Sequence, residues 1–144
     1  VIHVSNQDQV DQYRRQMNQK KQELDAVQSE RSQYMATAQR IGEIYDRLAQ
    51  NKATVREKRD ALNSFKDDEY AWFVGTQYDE AYRGSVQTVV GSYDTLIKLL
   101  DTNLDMLNNE RRRYENKAYE CDGLIGVLER GINYLGRSIQ NLIN

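Results

Sequence analysis

Apolar side chains recur every three or four residues through most of the chain, and this period is the feature that most constrains the fold. From Val10 to Leu62 the residues between the apolar ones are mostly charged or amide side chains. A narrow apolar stripe of this period predicts one long amphipathic helix over residues 5–63, capped by Ser5 or Asn6. Its a positions are Val10, Met17, Leu24, Arg31, Ala38, Tyr45, Lys52 and Arg59, and its d positions are Tyr13, Lys20, Val27, Tyr34, Ile41, Leu48, Val55 and Leu62.

A second heptad register occupies the other half of the chain and predicts a second helix over residues 76–143. Only Arg111 is charged in its two rows, and Cys121 is predicted to be a small core residue. The rows are Val86, Tyr93, Leu100, Leu107, Tyr114, Cys121, Leu128, Leu135 and Leu142, and Val90, Ile97, Leu104, Arg111, Ala118, Ile125, Ile132 and Ile139. Five further apolar residues widen this stripe: Leu96, Leu99, Leu124, Val127 and Ile143.

Neither register continues through residues 64–75, where Asp67, Asp68 and Glu69 oppose the dipole of a helix that ends there. The chain has no proline and no sustained period-two alternation, so no sheet is expected. These features predict an all-α fold. It is an elongated, coiled-coil-like antiparallel two-helix hairpin over residues 1–144, with its turn at 64–75. Pairing about residue 70 places Tyr34 opposite Leu107 and Met17 opposite Leu124.

Composition excludes most enzyme classes and most metal sites. One histidine, His3, and one cysteine allow neither a histidine-based metal cluster nor a cysteine-rich zinc site. A net charge of −2 argues against nucleic-acid binding. No apolar run approaches the roughly 20 residues that span a bilayer. We therefore expect no catalytic, cofactor or metal site and no stable membrane insertion. We also expect a cytoplasmic location, with export by a route without a cleaved signal left open.

The apolar stripe of the second helix is broader than the first helix can cover. Exposed contiguous apolar surface usually marks a binding site. Leu96, Leu99, Leu124, Val127 and Ile143 are therefore predicted to bind a helical partner, either a second copy or a different protein.

Two arginines, Arg31 and Arg111, fall in the apolar rows at similar predicted levels of the hairpin. One interpretation is that Glu30, Glu110 or Glu115 neutralises them. The other is a polar layer, in which Arg111 receives an acidic residue from a partner.

The predicted turn carries Trp72, Phe73 and Gly75. This aromatic run either plugs the end of the helix seam or serves as a recognition element. The run from Phe73 to Asp79, with Gly75 and Tyr78, resembles the Trp-x-Gly-x-x-Tyr segment of the YwqH-like family of WXG-type helical hairpins, with Phe73 in the tryptophan slot. Residues 108–117, 123–128 and 139–143 resemble the C-terminal helix of that family, so the resemblance covers residue 72 onward.

The resemblance implies a function that the residues alone do not. It implies a small chaperone-like adaptor that binds the N-terminal helical domain of an LXG toxin for type VII secretion. Its further implied partners are the secretion machinery and a second small helical protein. The location would be cytoplasmic before export, or secreted with the cargo. The alternative is a self-associating structural coiled coil with no secretion role.

Overall fold

The computed structural model describes residues 5–68 and 76–144, and the surroundings of the side chains over 5–64 and 80–144. Two helices account for these residues: α1 spans Asn6–Asp68 and α2 spans Thr76–Ile143. They pack against each other, and the described residues contain no strand. The predicted all-α helical hairpin is confirmed.

The start of α1 is capped as the sequence indicates. The Asp8 backbone N–H donates a hydrogen bond of 3.1 Å to Ser5 Oγ, and the Gln9 N–H donates one of 3.0 Å to the Ser5 carbonyl. Ser5 is therefore the N-cap residue, because its side chain satisfies a backbone donor that has no partner within the helix.

The prediction that α1 ends at residue 63 is wrong, because the helix continues to Asp68. Residues 64–68 belong to α1 rather than to the turn. They contain neither glycine nor proline. Loss of the heptad pattern reports a change in which face is buried, and it does not stop the backbone from remaining helical. The predicted bounds of the second helix, 76–143, agree with α2.

Packing within the hairpin divides into two units, which we describe separately. The terminal unit comprises Val1–Gln39 and Arg112–Asn144, and the central unit comprises Arg40–Arg111. In each unit the buried apolar side chains all belong to the predicted heptad rows. They are Val10, Ala38, Ala118, Cys121, Leu128, Leu135 and Ile139 in the terminal unit, and Val86, Ile97 and Leu104 in the central unit.

The heptad rows are confirmed beyond these core residues. Every a and d position of α1 between Val10 and Leu62 is buried or half-buried, and so is every position in the two α2 rows. Most of the α1 residues between these positions are exposed. The sequence period therefore identifies the face of each helix that packs.

The pairing of the two helices differs from the predicted pairing by about one heptad. In the terminal unit, Tyr34 lies beside Tyr114 rather than Leu107, and Met17 lines a groove with Ile132 and Gly136 rather than meeting Leu124. A shift of one heptad keeps the same rows in the seam, so the predicted core residues remain correct while their partners change.

Candidate helix-docking interface

The two flanks of α2 that border the seam differ in chemistry. We assign position d to the Val86 row and position a to the Val90 row. The acidic flank is then the set of e positions, which carries Asp94, Asp101, Glu115, Asp122 and Glu129. The opposite side comprises positions c and g, which are neighbours on a helix. We name the exposed apolar residues at c and g the apolar flank.

The acidic flank neutralises the cations that α1 places in its own seam row. In the central unit, Lys52 pairs with Asp101, and Arg59 Nη1 donates a hydrogen bond of 2.9 Å to Asp94 Oδ1. Arg59 also bonds Asp60, 3.0 Å away. The hydrogen bonds that Arg59 donates to Asp94 and to Asp60 raise the pKa of Arg59, so the guanidinium remains charged. In the central unit, the Asp94 and Asp101 carboxylates are therefore used for contacts within the hairpin.

The terminal unit repeats this arrangement at Arg31, whose Nε donates to Asp122. The predicted neutralisation of Arg31 by a glutamate is therefore corrected, because the counter-ion is Asp122. A shift of one heptad brings Ala118 rather than Arg111 to the level of Arg31, and Asp122 lies about one helix turn from Ala118.

The tyrosine pair of the terminal unit lies next to this ion pair. The rings of Tyr34 and Tyr114 have centroids 6.2 Å apart, and Lys117 Nζ lies 5.4 Å and 5.3 Å from them. A cation at these distances is attracted to both ring faces. The predicted packing of tyrosines in the seam is confirmed at this pair.

The pKa is raised for two groups in this region, the Tyr34 hydroxyl of the pair and the nearby Cys121 thiol. The carboxylate of Glu30 raises the pKa of Tyr34, and burial raises the pKa of the Cys121 thiol. Cys121 is 4% exposed, as its predicted core position requires. A thiol in apolar surroundings is a poor nucleophile, so its role here is packing.

The apolar flank is exposed in both units. Leu96, Leu99, Leu124 and Val127, all predicted as partner-binding residues, are 40–57% exposed. Three more residues share positions c and g and are exposed to a similar degree: Val89, Met106 and Tyr134. The predicted binding residues do not include these three, although each lies seven residues from Leu96, Leu99 or Val127. The same spacing therefore extends the surface.

Ile143 differs from the other predicted binding residues. It is 61% exposed but occupies an e position, so it does not extend the apolar flank. On α1, Met35 and Ile44 are the exposed large apolar residues of the described part of the chain. The apolar surface of the hairpin is therefore concentrated on α2.

Arg111 lies half-buried in the seam of the central unit. Its guanidinium carbon lies 5.7 Å from the centroid of the Tyr45 ring, and Nη2 donates a hydrogen bond of 2.6 Å to Asn108 Oδ1. The side chain also passes Gly42. These contacts lie within the hairpin, and the reception of a partner's acidic residue by Arg111 stays a prediction.

The turn motif lies mostly outside the described residues. Trp72, Phe73 and Gly75 are among those not described, and Tyr78 belongs to α2 without a described side-chain position. Both interpretations of the motif stay predictions.

The described residues hold no group of three or more histidine, cysteine or carboxylate side chains arranged to bind a metal ion. Within the same residues, neither helix has a segment apolar enough to cross a bilayer. No family model, curated protein or solved structure matches the chain.

Proposed function

We propose that the chain is a small chaperone-like helical adaptor that binds the N-terminal helical domain of an LXG toxin for type VII secretion. The observation that carries the proposal is the exposure of the apolar flank. Its seven members are 40–64% exposed, while Asp94, Asp101 and Asp122 of the acidic flank form ion pairs within the hairpin. The members form one apolar patch in each unit, and an amphipathic helix of a partner can lay its apolar face along such a patch.

The energetics favour a helical partner on this flank. The seven side chains are large and apolar, and burying each one releases about 1.5–3 kcal/mol relative to full exposure. About half of that gain has already been realised in the hairpin, because the side chains are only about half exposed. The remainder, over several residues, is comparable with what a small number of interface anchors contributes.

The resemblance described above supplies the identity of the partner. In this proposal the partner is the helical domain of a toxin encoded beside the chain, and the complex is presented to the secretion machinery. The adaptor is cytoplasmic before export or leaves with its cargo. The competing function is a structural coiled coil that does not bind a toxin.

Co-purification with the helical domain of a neighbouring LXG toxin tests the proposal. The test variant replaces Leu96, Leu99, Leu124 and Val127 with serine. The matched control places four serines at exposed b positions on the other side of α2: Lys98, Asp105, Tyr119 and Asn133. Circular dichroism verifies that both variants keep their helicity.

We expect the wild type and the control to capture the domain and the test variant to lose it. Loss of one anchor at an interface centre weakens binding by about thirtyfold or more. Equal capture by the test variant and the control contradicts the proposal, and so does a wild type that binds no LXG domain.

A further inference from the structure

The apolar flank of the central unit differs from the remainder of α2 in carrying no charge. Between residues 88 and 109, every residue at positions c, f and g is uncharged. The charged residues of this segment, Asp94, Lys98, Asp101 and Asp105, all lie at b or e. A docking partner that covers these c, f and g positions therefore removes no ion of α2 from water.

The hydroxyl groups on this face are satisfied within α2. Thr88 donates to the Gly84 carbonyl at 2.9 Å, and Ser92 donates to the Thr88 carbonyl at 3.2 Å. Thr95 and Thr102 bond the carbonyls four residues earlier in the same way. Since these donors already have partners, covering them leaves no hydroxyl donor unpaired.

The order of the side chains along the face is symmetric. Positions c and g read apolar, small polar, apolar, and then the same in reverse: Val89, Ser92, Leu96, Leu99, Asn103 and Met106. The spacing of three, four, three, four and three residues is also the same in both directions. A closed two-fold interface requires this kind of self-complementarity. If one residue contacts a second residue on the partner, then the second residue of the first copy contacts the first residue of the partner.

We propose that two copies of the chain pair through this face, with the α2 helices antiparallel about a two-fold axis between Leu96 and Leu99. Leu96 then faces Leu99 of the second copy, and Val89 faces Met106. The Asn103 amide lies opposite Ser92, where it can donate to a hydroxyl oxygen whose own hydrogen is already used. No like charges meet, because the face has none.

The groove beside Val89 provides the space that the pairing needs. Leu62, Val89 and Tyr93 line a shallow apolar groove of about 490 Å³ with Ala61 and Lys58. Met106 is 61% exposed, and its flexible thioether side chain suits an irregular groove. In the two-fold arrangement, Met106 of each copy enters the groove of the other.

Disulfide trapping tests the arrangement directly. In a Cys121→Ser background, the double variant Ser92→Cys with Asn103→Cys is compared with each single variant under mild oxidation. The two positions lie about 16 Å apart along one helix, so they cannot bond within one chain. We expect the double variant to form covalent dimers and the single variants to remain monomers. Cross-linking of the single variants to the same extent as the double variant overturns the antiparallel arrangement.

The oligomeric state of the chain without cysteine substitutions provides the second test. We expect sedimentation equilibrium to show a dimer for the wild type and at least about hundredfold weaker dimerisation for Leu96→Ser with Leu99→Ser. Lys98→Ser with Asp105→Ser is the matched control and should dimerise as the wild type does. A wild type that is monomeric at every concentration, even about 1 mM, overturns the proposal.

The pairing and the adaptor function both use Leu96 and Leu99, so one copy cannot pair and bind a toxin domain through this face at the same time, but separate measurements test each of them. A monomeric wild type that captures a toxin domain contradicts the pairing and leaves the adaptor function in place. A dimer that binds no LXG domain contradicts the adaptor function and leaves the pairing in place.

Discussion

The acidic flank and the apolar flank of α2 border the same seam, yet they serve different purposes. Asp94, Asp101 and Asp122 on one side each pair with a cation of α1. On the other side, Leu99, Met106 and Val127 remain more than half exposed. The hairpin therefore uses the charged flank to accommodate the cations of α1 and leaves the apolar flank for another molecule.

This difference shows how a helical hairpin can pack along a continuous seam and still leave apolar surface of α2 exposed. The cations in the α1 rows reduce the apolar area that α1 offers, so α1 covers only part of the α2 stripe. Ion pairs with aspartates of α2 neutralise three of those cations, Arg31, Lys52 and Arg59. Exposure of the apolar flank thus follows from the composition of α1.

The largest expected effect is a difference in the free energy of unfolding between substitutions at a seam residue and at an apolar-flank residue one helix turn away. Leu128 is 9% exposed and Leu124 is 54% exposed, and both belong to α2 in the terminal unit. Leu128→Ala should lower the free energy of unfolding by about 2–4 kcal/mol, because it leaves a cavity in the seam. Leu124→Ala should change it by less than about 0.5 kcal/mol. Urea unfolding of both variants makes the comparison, and similar losses would show that the flank is part of the core.

A smaller effect is expected for the ion pairs of the acidic flank. A double-mutant cycle of Arg59→Ala and Asp94→Ala should give a small, stabilising coupling energy, as is typical of pairs in contact with solvent. The same cycle at Arg31 and Asp122 should give less, because the Arg31 side chain is 39% exposed and that of Arg59 is 25% exposed. Both couplings should shrink in about 1 M salt. Zero coupling energy at both pairs would contradict the view that the acidic flank stabilises the hairpin.

The smallest effect is an alkaline destabilisation of the terminal unit. Since the native state raises the pKa of Cys121 and Tyr34, these groups support folding below their ordinary values of 9.0 and 10.0. That support is lost as the pH rises through the higher native values. The free energy of unfolding should therefore fall from about pH 9 upward. Thermal melts of the wild type and the Cys121→Ser variant measure it, and the variant should show the shallower decline. Rising stability across this range would contradict the assignment.

The period of the sequence was sufficient to predict which residues pack, but not which residues meet. Every a and d position from Val10 to Leu62 lies in the seam as predicted. The partner of Tyr34 was wrong by one heptad, because registers one heptad apart bury the same rows. The ion pair of Arg31 with Asp122 depends on the same register. Heptad periodicity does not determine where α1 ends either, and the helix continues to Asp68.

The candidate interface was partly predictable for a related reason. Leu96, Leu99, Leu124 and Val127 were identified because they widen the stripe, and their exposure follows from the narrow apolar face of α1. Apolar character alone does not distinguish these four residues from Ile143. The heptad positions do, because Ile143 lies at an e position on the acidic flank. The symmetric order around Leu96 and Leu99 becomes meaningful only once that face is known to be exposed.

The most direct test of the difference between the flanks uses two exposed tyrosines of α2 in the terminal unit. Tyr134 lies on the apolar flank and is 64% exposed, while Tyr119 lies at a b position on the other side and is 60% exposed. Hydroxyl-radical footprinting compares their modification in the free chain and in the complex with the helical domain of a neighbouring LXG toxin. If the apolar flank is the docking surface, modification of Tyr134 falls several-fold on binding and that of Tyr119 does not change. Protection of Tyr119 instead of Tyr134, or equal protection of both, would contradict it.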